Sequence, residues 1–168
     1  MLHVVGSASD SEGAISATAQ IWRQAYLSEC PSDLGGMSAL ADKMFPSLEF
    51  HPDAWERVGS LVGPAEENVP LLVHHLGVLN DHASRIWADF SVREDRQSAM
   101  GALGVTCSPD SPQTHKYKAA MRERDFTFGS SVVRCEWHTK LRPTKNRIHF
   151  NADGGTVRIG TIVDHLTI

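Results

Sequence analysis

The segment EWHTKLRPTKNRIHF, Glu136 to Phe150, places His138, His149, Glu136, Lys140, Arg142, Lys145 and Arg147 within fifteen residues. Imidazoles exchange protons near neutrality, and guanidinium groups grip phosphate through two parallel N–H bonds. Cleaving a phosphodiester asks for little more: a base for the attacking hydroxyl, an acid for the leaving oxygen, and cations for the charge that grows on phosphorus. His138 and His149, with Glu136 as an alternative base, would move the protons, while Lys140 and Arg147 would hold the scissile phosphate. Arg134, Arg142, Lys145 and Arg158 would follow neighbouring phosphates of an RNA.

Other chemistries leave less trace. The chain has no GxSxG, no Walker loop and no GxGxxG, so no serine nucleophile or nucleotide-binding loop competes. Cys30, Cys107 and Cys135 are far apart and form no CxxC, which suggests neither a disulfide framework nor a cysteine zinc site. His138, His149 and Glu136 or Asp164 could start a metal set, but the surrounding cations oppose a divalent ion. His75 and His82, seven apart on one helical flank, have only Asp81 and Asp89 nearby as further ligands, which favours a core-boundary role over a metal site. No metal and no cofactor is expected.

Alternation of side chains is what would bring the charged residues together. Read as one strand, 132–141 sends Val133, Cys135, Trp137, Thr139 and Leu141 to one side and Arg134, Glu136, His138 and Lys140 to the other. Segments 147–151 and 156–164 split the same way. An Asp153-Gly154 turn would pair Phe150 with Val157 and His149 with Arg158, and the connection before it would set His138 opposite His149 and Lys140 opposite Arg147. The expectation is a C-terminal three-stranded antiparallel meander over about 131–168, with Gly160 leaving open floor for a ligand. Outer faces of antiparallel sheets are polar in any case. Here Arg and His outnumber the usual Thr, Ser, Lys and Glu, and that composition is the functional signal.

The preceding part, about 1–125, reads as a helical body. Helical spacing and breakers predict segments over 15–27, 37–44, 54–62, 66–90 and 93–103, then a turn-rich loop CSPDSPQT and a short polar helix in KYKAAMRERDF. The 66–90 segment is the most regular, with Val69, Leu72, Val73, Leu76, Leu79, Ala83, Ile86 and Phe90 along one face. The fold class expected is α+β, as one domain over 1–168. A length of 168 residues with 41% apolar and 21% charged residues supports an ordinary core. No membrane span or leader pattern is visible, which points to the cytoplasm. The net charge of −4 hides an uneven distribution: residues 1–131 hold 10 Lys or Arg against 17 Asp or Glu, and the remainder holds 6 against 3. An acidic body with a basic end suits a nucleic-acid or phosphate-binding surface.

The last strands also carry a resemblance. Arg147-Ile148-His149-Phe150, Asp153-Gly154 and Ile162 to His165 resemble the end of the RelE-like endoribonuclease toxins, particularly the HigB branch. That resemblance implies helices on a small antiparallel sheet, metal-independent mRNA cleavage on the ribosome by basic and His residues, and an antitoxin or partner subunit. It covers about 20 residues of the chain and leaves the helical half unexplained. The toxins are also shorter and basic overall. A second similarity, through CEWHTKL, RIHF and IGTIVDHL, is to bacterial defence-associated proteins of undetermined chemistry. The alternative function is a non-catalytic interaction subunit whose basic sheet face docks an acidic partner or nucleic acid.

Overall fold

Trp137, Ile148, Phe150, Ile159 and Ile162, alternating along neighbouring strands, are all buried and give the sheet its apolar face. The computed structural model describes residues 8–167, with side chains from 15 onward; residues 1–7, part of the stretch on which the expectation of no leader rests, lie outside the described residues. Helix α1 (Ala8–Glu29) and α2 (Met37–Met44) precede strand β1 (Leu48–Phe50). Helix α3 (Ala65–Val78) runs through a π-turn, Leu79–Ala83, into α4 (Ser84–Asp89), followed by α5 (Arg93–Ala102). Strand β2 (Cys107–Pro109), helix α6 (Lys118–Arg122) and strands β3 (Asp125–Phe128), β4 (Ser131–Arg134), β5 (Trp137–Lys140), β6 (Arg147–Asp153) and β7 (Thr156–Val163) complete the chain. The fold is mixed α and β, with a helical N-terminal body. No described helix is long and apolar enough to cross a membrane.

The sheet has five strands in the order β1-β7-β6-β5-β2, not three, and β1 lies parallel to β7. Both edge strands come from the part expected to be only helical. They are three residues each, too short to show a period, and Pro109 sits where an edge strand tolerates a missing N–H. The expected helix over 54–62 is likewise absent: this stretch forms turns ending in a single 3₁₀ turn, Val58–Ser60. Within 66–90 the π-turn is held by contacts from outside the helix. Buried Asn80 accepts from the Ser47 N–H at 2.8 Å and donates to Asp81 at 2.8 Å, and Asp81 in turn receives Arg23 at 2.9 Å. Such a turn also shifts the helical phase, so His75 is buried while His82 is exposed.

The expected strand 132–141 is two strands in two sheets. β4 pairs only with β3, as a separate hairpin, and the chain crosses over at Cys135-Glu136. There the Cys135 N–H donates to the Arg124 carbonyl at 2.7 Å, and the Glu136 carbonyl accepts from the Asp110 N–H at 3.0 Å. The β5–β6 register sets His138 opposite His149 and Lys140 opposite Arg147. The β6–β7 turn differs from the expected one. Gly154 and Gly155, at φ +57° and +82°, form its tip, because both central positions of a tight right-twisting hairpin need positive φ. Asp153 therefore pairs with Thr156, Phe150 pairs with Ile159 and Asn151 with Arg158. An irregularity between His149 and Phe150 then places His149 opposite Thr161 and Arg147 opposite Val163.

Helices α3 to α5 cover the apolar face: Leu72, Leu76, Leu79 and Met100 join Ile148, Phe150, Ile159 and Ile162 in one buried cluster. Trp87 packs edge-on against Trp137 and Phe150, with ring centroids 5.0 Å and 5.3 Å apart. The β5–β6 loop is pinned by Asn146, fully buried at positive φ, whose side chain bonds both backbone groups of Val62 and reaches Asn68.

The opposite face is covered too. Phe126 of the β3–β4 hairpin lies directly over Gly160, where a Cβ would come within 2.5 Å of its ring and 3.1 Å of Cys135 Cβ. The expected ligand floor at Gly160 is thus filled by the protein itself. Gly160→Ala should destabilise by about 1–3 kcal/mol in urea unfolding, and Phe126→Ala in the same background should recover part of that loss.

Candidate active site

Pairing across four strands lines up Ser108 on β2, His138 on β5, His149 on β6 and Thr161 on β7 as one row; Lys140 and Arg147 begin the next. All point away from the apolar cluster. The row is not uniformly accessible. His149 is 1% exposed and His138 6%, with their rings 5.1 Å apart and tilted by 40°. The hairpin and Cys135 roof the row at its β7 end; at the β2 end it opens into a cleft of about 200 Å³ lined by Ser108, Asp110, Thr114, Arg124, His138, Lys140, Arg147 and His165.

Arg124 holds the roof of that cleft. Its guanidinium donates to Asp110 through Nε at 2.8 Å and Nη2 at 3.3 Å, and through Nη1 to the carbonyls of Ala120 at 2.7 Å and Thr167 at 2.8 Å. Arg124 is 2% exposed and Asp110 8%. A buried ion pair of this kind gains little net stability, because both ions lose their water; its bonds fix where the groups stand. Asp110 is thereby held beside His138, with Oδ1 4.0 Å from Nδ1, while His138 Nε2 lies 3.4 Å from Ser108 Oγ.

Burial is the main cause of the shifts at these histidines. It lowers the His138 pKa to about 4, helped by the charges of Arg147 and Lys140 and opposed by Asp110. His149 is pushed well below the ordinary range, first by burial, then by His138 and Arg124. The Cys135 backbone opposes that shift, yet neither ring nitrogen of His149 has a partner in hydrogen-bonding geometry. Burial also lowers the Arg147 pKa, and its Nε is buried without a hydrogen-bond partner. The cleft therefore presents neutral imidazole beside incompletely paired cations at pH 7.

Of the residues expected to do chemistry, His138, Lys140 and Arg147 meet in the cleft. His149 lies behind His138, cut off from solvent, because the hairpin covers a strand face that alternation alone would leave open. Glu136 turns instead to His115, 3.6 Å away. Among the phosphate-tracking candidates, Arg134 is held bidentately by Asp125, Arg142 by Glu67 and Arg158 by Glu49, each at 3.0 Å or less. Lys145 is exposed and makes no ion pair among the described residues. The continuous basic face is thus mostly self-neutralised. Among the described residues, no group of three or more His, Cys, Asp and Glu is placed to hold a metal ion.

Ser108, Asp110, Arg124 and His165 are the cleft residues that the strand argument missed. Asp110 and Ser108 lay within a segment that reads as turns, and nothing local distinguishes Arg124 from a surface base; only His165 stood out, as the end of the motif that carries the resemblance of the last strands. Neither a family model, a curated protein nor a solved structure matches the chain. The chemistry of the cleft rests on its own geometry.

The depressed histidines make stability depend on pH. Their folded pKa values lie below the unfolded 6.5, so their neutral burial is fully accommodated above pH 6.5 and stability is lost as pH falls from there towards 4. Each should contribute up to about 1.4 kcal/mol per pH unit within that window. Urea unfolding from pH 7 to 4 should show this slope, and His149→Gln should reduce it by one proton's worth; an unchanged slope would refute the assignment.

Proposed function

We propose that the cleft binds a phosphodiester of RNA and cleaves it without a metal, as a ribonuclease of a toxin or phage-defence module. The observation that carries this reading is the convergence of His138, His165, Lys140 and Arg147 on one concave site. His138, neutral at pH 7, takes the 2′-hydroxyl proton, and His165 replaces the buried His149 as the acid for the leaving 5′-oxygen. Lys140 and Arg147 hold the non-bridging oxygens as charge builds. A volume of about 200 Å³ suits a phosphoryl group and its ester oxygens, with flanking nucleotides outside. The resemblance of the last strands to RelE-like toxins supports the ribosome as the setting and an antitoxin as partner. The docking alternative is weaker, since Arg134, Arg142 and Arg158 are already neutralised by neighbouring carboxylates.

A base with a pKa near 4 is weak, but the charges of Arg147 and Lys140 contribute to that value. A bound phosphate offsets them and raises His138 towards its working range. RNA, offered alone and on ribosomes, should be cut by the wild type, and His138→Ala or Arg147→Ala should slow cutting by roughly 100-fold or more without unfolding. The acid limb of kcat should lie at higher pH than that of kcat/KM, since only the first reports the complex. Intact RNA under all these conditions would refute the reading.

A further inference from the structure

Ser108 and Asp110 lie on opposite sides of one imidazole. Ser108 Oγ faces His138 Nε2 at 3.4 Å, and Asp110 Oδ1 faces Nδ1 at 4.0 Å. The order follows from pairing: Ser108 is the direct cross-strand partner of His138, and Asp110 lies two residues further on the same side of the chain. Asp110 is oriented from behind by Arg124, and Ser108 is half-buried at the wall of the cleft. His138 Nδ1 is buried without a hydrogen bond, an arrangement that a purely structural Ser–His contact would not need. Catalytic contacts in ligand-free enzymes are often this long and tighten when substrate binds.

We infer that Ser108 is a nucleophile, activated by His138 and with Asp110 as the positioning residue, that attacks phosphodiesters to form a covalent seryl phosphodiester, which keeps the ester group that does not leave. The inference rests on reading the cleft as a phosphodiester site, and it widens the substrate class to esters lacking a 2′-hydroxyl. In the first step the Oγ–H proton passes to His138 Nε2, the Oγ–P bond forms, and the P–O bond to the leaving group breaks. The imidazolium then returns its proton to the departing oxygen. In the second step His138 takes a proton from water, the water oxygen bonds to phosphorus, and the P–Oγ bond breaks as Ser108 regains its proton. Lys140 and Arg147 face the oxygens that carry the charge in both steps. No redox partner is involved.

Bis(p-nitrophenyl) phosphate, which has no 2′-hydroxyl, tests this. The wild type should release a burst of about one p-nitrophenolate per protein, and acid-quenched protein should carry the p-nitrophenyl phosphoryl group on Ser108 by mass spectrometry. Ser108→Ala, checked for folding by circular dichroism, should lose burst and adduct, and His138→Ala should slow adduct formation by roughly 100-fold or more. RNA cleavage by wild type with neither burst nor adduct would overturn the inference and leave the ribonuclease reading standing. A burst with the Ser108 adduct but intact RNA would support the inference and remove that reading. A burst surviving in Ser108→Ala, or no adduct under any condition, would also overturn it.

Discussion

The buried guanidinium of Arg124 is the interaction on which the cleft depends. Its hydrogen bonds join the end of β2 at Asp110, the α6 backbone at Ala120 and the last residues of the chain at Thr167. Thr167 lies 43 residues from Arg124 while Asp110 and Ala120 lie within 14, and no apolar contact of comparable directionality could fix all three at once. A planar fork of donors can, which is why lysine would not substitute. The desolvation cost of the pair makes it a poor source of stability and a good source of position.

With that roof in place the sheet is covered on both faces, and the meaning of its polar residues changes. On an open face, two adjacent histidines and two cations would be hydrated and ordinary. Here the histidines lose water and become neutral, while Lys140 and Arg147 stay half-buried at the cleft and Arg147 Nε is left without a hydrogen-bond partner. A neutral base beside unsatisfied cations is a stressed arrangement in the free protein and a favourable one once an anion enters. The same covering divides the labour between the two histidines. His149 packs against His138 from the closed side, and His138 meets the cleft.

The parts legible in the sequence are those governed by short-range rules. Side-chain alternation placed His138, Lys140, Arg147 and His149 on one side of the strands, and the β5–β6 pairing has the register that keeps apolar against apolar. Helix 37–44 stands between the breakers that delimit it, and 93–102 ends at Leu103-Gly104. Where two local signals compete, the reading fails. Asp153-Gly154 and Gly154-Gly155 are both hairpin tips on paper, and the second wins because it supplies two residues free to adopt positive φ. The break at Cys135-Glu136 has no local signal at all, since the alternation runs straight through it.

The sequence by itself determined which residues share a face within an unbroken stretch of strand, because a period of two is a property of the backbone; the bulge beside His149, which turns Ile162 to the core and Thr161 to the histidines, and the break at Cys135-Glu136 escaped it. It also determined that the C-terminal end is basic and histidine-rich. Only the tertiary structure decided which of those residues meet solvent and what they meet there. β2 and the hairpin arrive from outside the strands they cover, and their position depends on contacts between segments far apart in the chain. Ser108, Asp110 and His165 become neighbours of His138 for that reason alone. Burial, and with it the protonation state of His138 and His149, is likewise a property of what lies above the sheet.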